Sequence, residues 1–89
     1  MIEIGTIVGL ENGKKYIITE SSIVDSRTFY LTLEVDKDNN PKLNSMFFED
    51  LGDHLLPITA EGDITFLKNV FVDKFINENI DVISEDETV

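Results

Sequence analysis

The chain has no cysteine and no tryptophan, only two prolines and five glycines, and seven basic residues among 89. Without thiols, disulfide staples, zinc ribbons and sulfur nucleophiles are excluded, so packing must hold the fold, and a reducing cytosol suits the composition. No apolar run approaches the roughly 18 residues that a membrane-spanning helix needs. Met1-Ile2-Glu3-Ile4 has neither the basic start nor the apolar stretch of a signal peptide. The expectation is a cytoplasmic protein that does not engage a membrane.

The scarcity of bases leaves a formal charge of −11, from 18 acidic against 7 basic residues. Residues 43 to 67 hold Glu49, Asp50, Asp53, Glu61 and Asp63 with no base, and residues 75 to 89 hold Glu78, Asp81, Glu85, Asp86 and Glu87 with none. Nucleic-acid affinity rests on Lys and Arg displacing counterions, so direct nucleic-acid binding is not expected. A basic protein partner would be attracted, with faster association at low salt.

What the chain does have is β patterning. Thr28 to Val35 alternates for eight residues, with Phe29, Leu31, Leu33 and Val35 on one side and Thr28, Tyr30, Thr32 and Glu34 on the other. It reads as a central strand with the Phe29 side in the core. Upstream, Asn12-Gly13 between two apolar runs predicts a type I′ hairpin joining strands at about 5–10 and 15–24. The polar Glu20 to Ser22 predicts a bulge or bend in the second. Asp25-Ser26-Arg27 and Asp36 to Lys42 read as turns. Residues 43–51 fit a strand or a buried helical turn, and strand is the reading taken; Leu55-Leu56-Pro57-Ile58 suits a short edge strand.

From Thr59 the period changes. Ile64, Leu67, Phe71 and Phe75 recur three or four apart, with Val70 beside them, which predicts an amphipathic helix over 60–78. Thr59 is its expected N-cap, Glu61 and Asp63 suit its first turn, and Asn79 is its expected end. Residues 80–83 fit a further strand or a surface segment. The expected organisation is one domain over 1–83 and a disordered acidic tail over 84–89. The fold class is α+β: a small curved antiparallel sheet of four or five strands in meander order, barrel-like, covered by one C-terminal helix.

No catalytic constellation is present. His54 with Asp50 and Asp53 is the one cluster of metal-binding groups, but no second histidine or thiolate completes a set, and a solvated acidic loop is the reading. Asp36-Lys37-Asp38-Asn39-Asn40 opens like a calcium loop, yet the sixth position is Pro41 and the twelfth Phe47. No serine has a glycine-flanked nucleophile motif, and Gly5 and Gly9 lack the third glycine of a phosphate loop. The expectation is therefore no enzyme, no cofactor and no metal. The aromatics have no basic groove to line and are assigned to the core, with Phe66, Ile76 and Tyr30 as candidates for a second buried surface.

The run from Ile4 to Tyr16 around Asn12-Gly13, the strand at Phe29-Tyr30-Leu31, and Leu55-Leu56-Pro57-Ile58-Thr59 before a helix resemble the small acidic YrzB-like proteins, uncharacterised proteins of Firmicutes and their mobile elements. The resemblance covers most of residues 4–76 in layout. It implies a small twisted antiparallel sheet closed by a helix, and no activity or site residues to carry over.

The functional expectation is a non-catalytic module binding a basic protein through Glu49, Asp50, Asp53, Glu61, Asp63, Glu78 and Asp81. In its sharper form the module is a nucleic-acid mimic, such as a phage or mobile-element inhibitor of a host nucleic-acid-binding enzyme, in which carboxylates stand in for phosphates. The alternatives are a bacterial housekeeping protein whose acidity serves only solubility, and a small-ligand or metal binder. An open strand edge could also pair with a second copy to give a homodimer.

Overall fold

In a computed structural model, backbone is described for residues 1–88 and side chains for residues 1–77. The chain divides into a sheet unit, Met1–Thr59, and a helical unit from Ala60. The sheet unit is a curled antiparallel half-barrel of five strands: β1 (Ile7–Gly9), β2 (Lys15–Val24), β3 (Arg27–Val35), β4 (Pro41–Asp50) and β5 (Leu55–Pro57). They lie in sequence order with β3 in the middle, as a meander requires, because each short turn returns the chain beside the strand it has just left. The α+β class holds, and so does strand over 43–50, but β4 starts at Pro41, inside the expected Asp36–Lys42 turn, and leaves out Leu51.

Several local expectations are corrected. β1 is three residues long rather than six, and the Asn12-Gly13 loop is not type I′. Leu10 N–H donates to the Lys14 carbonyl at 2.8 Å and Gly13 N–H to the Leu10 carbonyl at 3.0 Å, so the loop has three residues, with positive φ at Gly13 alone (87°). The two-residue turn with positive φ at both positions is Asp25-Ser26, at 51° and 65°, between paired Val24 and Arg27. The β3–β4 connection repeats the three-residue design, with Asn39 at φ 65° and its N–H on the Asp36 carbonyl at 2.9 Å. The irregularity of β2 falls between Ile18 and Glu20. The Thr19 hydroxyl there donates to the Leu31 carbonyl at 2.9 Å.

The faces of β3 are also corrected. Phe29 and Val35 are buried as expected, but the deepest residues are Tyr30 and Thr32, both 0% exposed, on the side that the alternation had marked as outer. The register places Ile18 opposite Thr32, Tyr16 opposite Glu34 and Phe48 opposite Tyr30, so these six share one face. Tyr16 and Phe48 meet edge to face, with ring centres 5.4 Å apart. The polar members of this face are buried because each has a partner from elsewhere in the chain. Thr32 donates to the Met46 carbonyl at 2.8 Å, and Glu34 accepts from Lys42 at 3.1 Å and Asn44 at 2.7 Å.

The helical unit holds α1 (Glu61–Thr88). The Ile64 N–H donates to the Ala60 carbonyl at 3.0 Å, which makes Ala60 the cap, one residue after the expected Thr59. Leu67 and Phe71 are buried, but Phe75, expected in the same stripe, is 66% exposed. Phe66 and Ile76 are exposed too. The helix does not end at Asn79 as expected: its backbone continues through 80–83, expected as a strand or a surface segment, and through 84–88 of the expected tail, while Val89 lies outside the described residues.

Candidate functional site

The meander separates charge within the sheet unit. It places the β1–β2 and β3–β4 turns at one end, and the β2–β3 turn and the β4–β5 loop at the other. With strands of nine or ten residues between them, the two ends stand about 30 Å apart at ~3.3 Å per residue.

The second end carries Asp25, Glu49, Asp50 and Asp53. Glu49 is only 7% exposed and faces Arg27, whose Nε donates to Oε2 at 2.9 Å and whose Nη2 donates to Oε1 at 2.8 Å. This bidentate pairing holds the Glu49 carboxyl below its ordinary range. The Arg27 guanidinium also lies 5.0 Å from the centre of the Phe29 ring, on the same face. Asp50 accepts from the Tyr30 hydroxyl at 2.7 Å and from the Gly52 N–H at 2.9 Å. Those two bonds, the tyrosine's first, depress its pKa. Tyr30 in turn accepts from the Ile2 N–H at 2.8 Å, so one buried phenol ties the N-terminal segment to the end of β4. Burial, more than the Asp50 carboxylate, pushes the phenol's own pKa up.

Asp53 and His54 are exposed and lie 2.6 Å apart, Oδ1 to Nδ1, and the imidazole holds the Asp53 carboxyl down. Among the described residues no three histidine or carboxylate side chains converge as metal ligands.

Of the residues expected to meet a partner, Glu49, Asp50 and Asp53 therefore come together at one end of the sheet unit. Glu49 is consumed by Arg27, Asp50 is half-buried with its oxygens accepting from Tyr30 and Gly52, and Asp53 is exposed with one oxygen against His54. Asp25, which the block of acids after residue 43 did not include, joins them from the β2–β3 turn. Glu61 and Asp63 are exposed in the first turn of α1. The side chains of Glu78 and Asp81 lie outside the described residues.

The opposite end mixes the two signs of charge. An open cleft of about 580 Å³ between the two three-residue loops is lined by Lys14, Lys15, Lys37 and Lys42, four of the seven basic residues, together with Glu34, Asp36 and Asp38. Lys15 Nζ donates to Asn39 Oδ1 at 2.7 Å, linking the loops. Asp36 Oδ1 accepts from the N–H groups of Asp38 and Asn40 at 2.8 and 2.9 Å, and these bonds lower its pKa, that from Asn40 most. Sequence reading missed this cleft because its lysines lie up to 28 residues apart, 14 to 42, and only the superposed hairpins bring them together. The signal that could have found it is that both loops are flanked by lysines.

No family model, no curated protein and no solved structure matches this chain.

Proposed function

We propose that this chain is a non-catalytic interaction module that docks on a basic protein through the carboxylate-bearing end of its sheet, with Asp25, Asp50 and Asp53 as the contact charges. The observation that supports this reading is the separation of charge along the strands. The lysines stand about 30 Å from those carboxylates, several times the ~8 Å screening length at physiological salt, so the positive charges that offset the field there are Arg27, spent on Glu49, and the N-terminal ammonium, which acts on Asp50. In the sharper form of the proposal the partner is a nucleic-acid-binding enzyme and the aspartates occupy phosphate positions in its basic channel. Under the alternative, acidity for solubility alone, no single end of the sheet would matter.

The test is capture of partners from source cells on immobilised wild type and on an Asp25→Lys/Asp53→Lys variant, at about 50 mM and about 500 mM salt. The proposal expects one basic protein held at low salt, released at high salt and absent from the variant, whose thermal midpoint is unchanged. A partner held equally by both chains at high salt would refute it.

A further inference from the structure

We infer that the lysine-lined cleft between the β1–β2 and β3–β4 loops is a binding site for a small phosphorylated ligand. It is independent of the acidic end and of the proposal made for it. The cleft stands out because the chain is so acidic: more than half of its cations gather around one depression, contributed by two hairpins. The donors in it are largely unspent. An ammonium has three N–H groups. Lys15 gives one to Asn39 and Lys42 one to Glu34, while the ammonium groups of Lys14 and Lys37, on opposite loops, make no hydrogen bond or ion pair among the described residues, although the Lys14 charge acts on Glu34 at longer range.

Three carboxylates also line the cleft, and Glu34 and Asp36, held below their ordinary pKa, stay ionised, so the four lysines leave the lining a net charge of +1. Both oxygens of Glu34 are taken, by Lys42 and Asn44, and Asp36 is held by the backbone of its own loop. Asp38 alone is exposed with no such bonds to its carboxylate.

A tetrahedral dianion presents several oxygens at once and can therefore accept from Lys14 and Lys37 together, bridging the loops that Lys15 and Asn39 already join. Size selects against a polymer. A single phosphoryl group in the cleft lies within a screening length of the lysines, whereas a nucleic acid would extend over the acidic remainder of the surface. The site thus suits a phosphate monoester or a nucleotide-sized molecule.

The experiment is an amide NMR titration of the full chain with inorganic phosphate, against sodium chloride at matched ionic strength. Phosphate should shift the Gly13, Lys14 and Lys37 amides in a saturable way, with a dissociation constant in the millimolar range and roughly tenfold weaker binding in a Lys14→Gln/Lys37→Gln variant. That variant should melt as the wild type does, since neither ammonium bonds to the rest of the fold. Shifts that chloride reproduces, or that the double variant leaves unchanged, would overturn the inference. So would an oligonucleotide that binds more tightly than phosphate, because a polymer site would then be indicated.

Discussion

Two side chains at the acidic end show how a single residue links stability to pH. Glu49 is buried and its folded pKa lies below the ordinary 4.5, chiefly through its hydrogen bonds from Arg27. A depressed carboxyl stabilises the fold above its unfolded pKa, and the contribution is lost as pH falls through the folded value. Arg27→Ala should therefore cost about 1–2 kcal/mol near neutral pH, and the cost should shrink as the carboxyl is protonated at lower pH. Urea unfolding at a series of pH values from neutral to about 3 would measure this, and a cost independent of pH would contradict the pairing. Tyr30→Phe removes a donor from Asp50 and an acceptor from Ile2. It should destabilise by about 1–2 kcal/mol and raise the Asp50 pKa, since the phenol is the first cause of its depression. Carboxyl NMR titration reads the second effect directly.

At the scale of the element, the turns make the firmest expectations. Gly13 has φ 87° and open space around the position of a Cβ, so Gly13→Ala tests backbone strain without a clash. The expected cost is about 1 kcal/mol. Ser26 has φ 65° in a two-residue turn that favours glycine, and Ser26→Gly should stabilise by up to about 1 kcal/mol. Thermal melts of the two variants should move in opposite directions. Strand β4 shows a second element-scale feature. β5 pairs only with Phe48, Glu49 and Asp50, and residues 41–45 are exposed. Pro41, Lys42 and a register shift against β3 between Leu33 and Val35 occupy that stretch. These are devices that discourage a strand from adding to an open edge.

For the molecule as a whole, charge and core set the conditions. A net −11 on 89 residues repels itself, so raising sodium chloride from about 50 to about 500 mM should raise the melting temperature while weakening the proposed docking. Phe48→Ala empties the centre of the Tyr16, Ile18, Tyr30 and Thr32 face and should cost about 3–5 kcal/mol, enough to unfold much of so small a protein, as far-ultraviolet circular dichroism would show. By itself the sequence determined the α+β class, the meander, the limits of β2, and both the short β5 and the start of the helix to within a residue. These follow from periodicity and turn chemistry, which act between near neighbours in the chain. Which side of β3 is deepest was not legible there, because alternation separates two faces without ranking them, and the burial of Tyr30, Thr32 and Glu34 depends on partners at Asp50, Met46 and Lys42 that only strand pairing delivers. The same holds for the sites. Counting charge found an acidic chain, but only the three-dimensional pairing cancelled Glu49 with Arg27 and drew four lysines from two hairpins around one cleft, since electrostatic interaction depends on distance in space and not along the sequence.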